Sequence, residues 1–158
     1  MTWFHKRKPT PVEVIRDLRE RAFTVAIAEG RPRSVVVLLM ETAYPKAVAT
    51  LACFADGTTS LYFSTGGGML GAGQHESVRA AASAFLATAT RDAALLVEAN
   101  EHPLPEAGHV RFHARIGATL LGGDALEQEL IAHSHPLSPL FYAGQAVITA
   151  IRETGTSQ

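Results

Sequence analysis

The sequence predicts an α+β fold: a roughly five-stranded, mainly antiparallel sheet with helices packed on it, in the order αβββαββα. Three observations carry this. The runs "SVVVLLME", "AVATLACFA" and "TTSLYFST" follow one another closely, and the last two are joined by Asp56-Gly57, a strong hairpin signal. "HVRFHARI" alternates apolar and polar residues over eight positions, which is the period of a strand. Between and around these runs lie stripes of apolar residues at helical spacing.

Taken in order, residues 1–9 are expected to be a loose basic and aromatic arm carrying Trp3, Phe4 and "HKRK". A single fold then spans residues 10–153, and 154–158 form a frayed tail. The first helix starts at "TPVE". Thr10 is its N-cap, Pro11 suits the first helical position, and Glu13 completes a capping box. Ile15, Leu18, Ala22, Val25 and Ala26 share its apolar face, with Arg16, Asp17, Arg19 and Glu20 on the wet side; Gly30 and Pro32 end it. Three strands follow as a meander. A second helix, about His75 to Arg91, carries the stripe Val78, Ala81, Ala82, Phe85, Leu86 and Ala89. "ANEHPLPEAG" reads as a loop. In the next strand Val110, Phe112, Ala114 and Ile116 point inward, while His109, Arg111, His113 and Arg115 point outward. "GATLLGG" returns as a short strand. "DALEQELIA" is a short helix with Asp124 and Glu127 as its capping box. The last helix has Ser138 as N-cap, Pro139 at the first position and Leu140, Gly144, Val147, Ile148 and Ile151 buried. Gly144 within that stripe implies a close approach to another backbone.

A chain of 158 residues can bury a sizeable core without metals or disulfides. With 47% hydrophobic and 18% charged residues it has the composition of a soluble globular protein. Its one cysteine, Cys53, excludes an internal disulfide framework and fits a reducing compartment; in "ATLACFA" it reads as a small buried hydrophobe. No apolar leader follows the initial charges, and the longest strongly apolar run is too short to span a bilayer, so the expected location is the cytoplasm. Residues 1–33 hold eight of the 14 Lys and Arg and four of the 15 Asp and Glu, a balance of +4, against −5 for the rest. Such an arm can meet an anionic partner or lie on its own acidic body, and a solvated end is the plainer account. No nucleic-acid partner and no membrane span are expected.

Gly66, Gly67, Gly68, Gly71 and Gly73 fall within eight residues, after a strand and before a helix. Gly66, Gly68 and Gly71 match G-x-G-x-x-G, and Glu98 ends an apolar run 32 residues after Gly66, about one βαβ unit away. The tight Asp56-Gly57 hairpin argues against a dinucleotide site, because such a fold wants a parallel central strand before the loop. A smaller expectation remains: Ser64, Thr65 and His75, with the amides around Gly66 to Gly73, hold a small anion at a helix N-terminus. The plain alternative is that the glycines carry the chain over the sheet edge.

The outward row His109, Arg111, His113 and Arg115 reads either as an anion-attracting strand face or as an ordinary solvent face. His109 and His113 are ~13 Å apart on a strand, too far to share a metal. His133-x-His135 has a chelating spacing but no completing ligand, so neither metal nor cofactor is expected. No nucleophile elbow and no carboxylate pair marks a catalytic centre, so no catalytic residue is nominated and enzyme activity stays an open question.

The stretches "METAYPKAVATLACFADGTTSLYFSTGGGMLGAG" and "HPLSPLFYAGQAVITAIR" resemble a group of small, functionally unassigned bacterial proteins. That resemblance implies a bacterial cytosolic protein and transfers no functional residue. The element order is also similar to type III secretion chaperones, which are small homodimers that bind extended client segments, and to profilin-like and roadblock-like domains. The expected function is a non-enzymatic binding or protein-interaction protein, chaperone-like and homodimeric, acting on a protein client. The alternative is a small-anion or nucleotide-binding protein or enzyme that uses the glycine loop.

Overall fold

Thr10 and Glu13 close the capping box that the sequence predicts. The Glu13 amide donates to Thr10 Oγ1 at 3.2 Å and the Thr10 amide to a Glu13 carboxylate oxygen at 2.9 Å. They start α1, Pro11–Thr24, in a computed structural model that describes residues 7–24 and 33–156. Most of the expected N-terminal arm, and Val25, Ala26, Gly30 and Pro32 at the expected end of the first helix, lie outside the described residues.

The aliphatic runs become β1 (Val37–Ala43), β2 (Val48–Phe54) and β3 (Thr59–Phe63). The Asp56-Gly57 turn forms as expected: the Phe54 amide donates to the Thr58 carbonyl at 2.9 Å, and Gly57 takes the φ of +94° that favours glycine there. After β4 (Gly68–Met69) come α2 (Glu76–Arg91), β5 (Val97–Glu98), β6 (His109–Ile116), β7 (Thr119–Leu126), α3 (Glu127–Ile131) and α4 (Ser138–Thr156). The sheet order is β4-β3-β2-β1-β6-β7-β5, and every neighbouring pair is antiparallel.

The α+β class stands, but the sheet has seven strands where five are expected. The two additions, β4 and β5, are two residues long and sit at opposite edges. Two residues are too few to show an alternation, and β4 lies inside the glycine run. The helix expected at Asp124 also needs correction. β7 continues to Leu126, α3 begins at Glu127, and Asp124 is a strand residue whose carboxylate pairs with His109 and Arg111. Ser138 does not cap α4: its hydroxyl is buried without a partner, while His135 Nδ1 accepts the Leu137 amide at 3.0 Å.

The two faces of the sheet differ. On one, Leu38, Met40, Leu51, Cys53, Phe112 and Ala114 meet α2 and α4 in the main core. Phe85 of α2 and Leu140 of α4 are fully buried there, and their helical stripes are those the sequence predicts. Gly144 is the close approach, but to side chains: a Cβ there would lie 2.6 Å from Met40 Sδ and 3.2 Å from Phe85 Cε1. Burial pushes the Cys53 thiol up to about 12, so it stays protonated and inert in this core. On the other face Val37, Leu39, Ala52 and Tyr62 meet Ile15 and Ala22 of α1.

Candidate functional site

The face beneath α1 is polar because one cross-strand row is polar. Pairing aligns Gly68 of β4, Tyr62 of β3, Thr50 of β2, Glu41 of β1, Arg111 of β6 and Asp124 of β7 side by side. Glu41 is fully buried in a strand whose one other polar residue is Thr42. A buried carboxylate requires a cation and further donors, and both are present. Arg19 reaches down from α1 and donates from Nε and Nη2 to the two Glu41 oxygens, each at 2.8 Å. Thr50 Oγ1 donates to Glu41 at 2.6 Å. The bidentate fork fixes the rotation of α1 over the sheet. Arg19 therefore belongs to the covered side of α1, not to the wet side the helical spacing assigns it; its side chain is only 12% exposed.

A second support holds the 99–105 segment against the same face. Arg19 Nη2 also donates to the His102 carbonyl at 2.6 Å, and Arg111 donates to the Pro103 carbonyl at 3.1 Å. The His102 ring stacks on Phe23 of α1 at 3.8 Å and places Nε2 3.2 Å from Glu20. Thus the row His109, Arg111, His113 and Arg115 does share one face, as its alternation predicts, but that face is largely roofed. His109 and Arg111 pair with Asp124, Arg115 donates to the Ala22 carbonyl, and His113 is buried. Burial first, then the charges of Arg19, Arg111 and His102, lower the His113 pKa to about 4, with the Glu101 main chain pulling the other way. His113 is neutral near pH 7, and its Nδ1 is buried without a partner.

Among the described residues Tyr62 is the other unsatisfied group on this face. Its hydroxyl is buried and unpartnered, and burial, followed by the Glu41 charge, raises its pKa. Hollows open on both flanks of α1. One of about 220 Å3 lies among Leu18 and Ala22 of α1, Ala52 and Phe54 of β2, Tyr62 and Leu70, with Arg21, Asp56, Thr58 and Ser60 at its polar end. A second of about 230 Å3 lies among Pro11, Val14, Ile15, Gly67, Gly68 and Leu70. The two share Leu70, so they line one flank of α1. A third, about 200 Å3, sits between Val12, Arg16, Thr50, Ser64 and Leu104.

The glycine-loop candidates divide between two places. Ser64, Thr65, Gly66, Gly67 and Gly68 form the β3–β4 hairpin, where Ser64 Oγ accepts the Val48 amide at 2.8 Å. Gly71, Gly73 and His75 belong to the turn before α2, and His75 is its N-cap residue without a side-chain cap bond. Gly66 and Gly68 have φ of +104° and +142°. A Cβ on Gly68 would strike the Leu61 carbonyl, and one on Gly66 would lie 2.8 Å from Pro11 Cβ. The hairpin tip can therefore press against the start of α1, and β4 can pair with β3. The strand before the loop is antiparallel to both its neighbours, unlike the strand of a dinucleotide fold.

Among the described residues no group of three His, Cys, Asp or Glu side chains is placed to hold a metal, and no helix is long and apolar enough to cross a membrane. The chain matches no protein-family model, no curated protein and no solved structure. Sequence reasoning did not single out Arg19, Glu41, Thr50, Tyr62 or the hollows. One signal was available: a glutamate inside "VVVLLME", where both faces of the strand are buried, requires a cation from elsewhere in the chain.

Proposed function

We propose that this chain is a non-enzymatic binding protein that takes an apolar guest in the hollows along α1. The observation that carries this is the contrast in packing around one helix. α2 and α4 bury Phe85 and Leu140 completely and leave a hollow of about 340 Å3 at the α2 rim, beside Arg79 and Ser83. α1 rests on a polar fork, with mainly apolar hollows on the Leu70 flank and a more polar one on the other. Concave, mainly apolar spaces with a few polar groups are where small molecules bind. Arg19, Glu41, Arg111 and Asp124 are engaged with partners, and among the described residues no hydrogen bond joins the Tyr62 hydroxyl or His113 Nδ1 to a neighbour as a nucleophile–base pair would need, which supports binding rather than turnover.

A thermal-shift screen with apolar and amphipathic compounds tests this. A guest at a hundred times its Kd stabilises by ~2.7 kcal/mol, an upward shift in Tm that the screen resolves. No shift with any compound, together with a bare mass for the freshly purified protein under native spray, overturns the reading.

A protein-interaction role as a homodimer has one observation in its favour. β5 ends the sheet with Val97 70% exposed and Leu95 48% exposed beside it, an apolar edge of the kind a second chain can pair with. Light scattering after size exclusion checks it: a dimer that Val97→Lys converts to monomer supports it, and a monomer at micromolar concentration removes it.

A further inference from the structure

We infer that the guest is a straight-chain fatty acid of medium length, lying along α1 with its carboxylate at the Arg21 end and its tail toward Pro11. This rests on the binding reading above and adds the chemical class of the guest.

Shape gives the first argument. The two hollows succeed one another along the helix, one beside Leu18 and Ala22 and the other beside Pro11, Val14 and Ile15, and the one residue common to their linings is the exposed Leu70, which a guest can turn aside. At about 220 and 230 Å3 each is below the ~300–1,000 Å3 of small-molecule sites, and a guest that displaces Leu70 and spans both reaches that range. An elongated apolar space favours a flexible chain over a compact ring.

Polarity along that space gives the second. The Pro11 end is bounded by Val14, Ile15, Gly67 and Gly68, with no charged side chain. The opposite end carries Arg21, Asp56, Thr58 and Ser60. Arg21 makes no ion pair among the described residues. Asp56 Oδ1 already accepts the Thr58 amide at 2.9 Å. A guanidinium is a planar fork that matches a carboxylate in two hydrogen bonds. Asp56 in the same lining disfavours any anion, a dianion about twice as much as a monoanion, so Arg21 there suits a monoanion better than a phosphate dianion.

The test is calorimetric titration of the full chain with hexanoate, octanoate and decanoate, against decanol, decylamine and phenylacetate. Affinity is expected to rise about threefold to fourfold per added methylene. Arg21→Gln, an exposed position, is expected to weaken decanoate about tenfold and to leave decanol unchanged. Leu70→Glu, also exposed, is expected to abolish binding of all the chain compounds without lowering Tm. Phenylacetate binding as tightly as decanoate, decylamine binding more tightly, or Arg21→Gln without effect on decanoate overturns the inference. If decanol or an anilinonaphthalene sulfonate dye binds in a Leu70-dependent way while the acids do not, the fatty-acid inference falls and the binding reading stands. If no apolar compound binds, both fall.

Discussion

The two faces of this sheet are made from the same strands and solve opposite problems. Toward α2 and α4 the strands present Leu38, Met40, Leu51 and Phe112, and the packing is tight enough that Gly144 leaves no room for a methyl group against Met40. Toward α1 they present Glu41, Thr50, Tyr62 and His113, and the helix is held by directional bonds with space beside it. A dry, close-packed layer gives stability, and on this face a hollow is left at the rim of α2, beside Arg79 and Ser83. A polar layer is less forgiving, since each buried group needs a named partner, and its geometry leaves gaps that apolar packing would fill. The division places the candidate site on one face of the sheet and most of the core on the other.

The contrast can be broken first at Glu41. Glu41→Leu leaves the Arg19 charge beneath α1 without its carboxylate and is expected to lower stability by ~3–5 kcal/mol in urea unfolding. The double replacement Arg19→Met with Glu41→Leu is expected to restore most of that loss, because an apolar pair of similar volume removes the unpaired charge; a double variant as unstable as the single one contradicts the account.

Acid is the next lever. His113 has a folded pKa of about 4 against an ordinary 6.5, so between these values the unfolded chain binds more protons. Its contribution is complete above about pH 6.5 and declines as the pH falls toward 4, on the order of 2 kcal/mol across the window. Replacing His113 by Gln is expected to flatten that part of the stability profile, and an unchanged profile would remove His113 as its source.

On the apolar face Gly144→Ala is expected to cost ~1–3 kcal/mol through overpacking against Met40 and Phe85. Met40→Ala in the same chain should recover part of it, as thermal melts of the pair will show. Smallest of all is Tyr62→Phe. Its hydroxyl has no partner to lose, so stability should hold or rise by up to ~1 kcal/mol. A loss above ~2 kcal/mol would mean that the hydroxyl is satisfied, for instance by a buried water, and would weaken the case for a vacancy beneath α1.

Features written in local sequence were legible. The Thr10–Glu13 box, the Asp56-Gly57 hairpin, the alternation of residues 109–116 and the stripes of α2 and α4 all follow from neighbours in the chain. Features that depend on a third layer were not. Arg19 has the spacing of a wet-side residue, and only the presence of a glutamate on β1 turns it inward. His113 and Arg111 alternate like an exposed row, and only the docking of α1 and residues 99–105 covers them. Asp124 has the signature of a helix cap, yet His109 and Arg111 on β6 hold its carboxylate and the strand pairing extends past it. The glycine loop is compatible in sequence with either a turn or an anion site, and its contacts are those of a turn that brings a strand edge to the start of α1.

One guanidinium fastens three pieces of chain. Because Arg19 grips the Glu41 carboxylate and the His102 carbonyl together, a motion that frees the first helix also releases the loop that lies beside it on the same face of the strand layer. Events at the helix would therefore be felt in that loop as a loosening of backbone, and amide exchange around residue 102 would record the opening of a helix some eighty positions earlier in the chain.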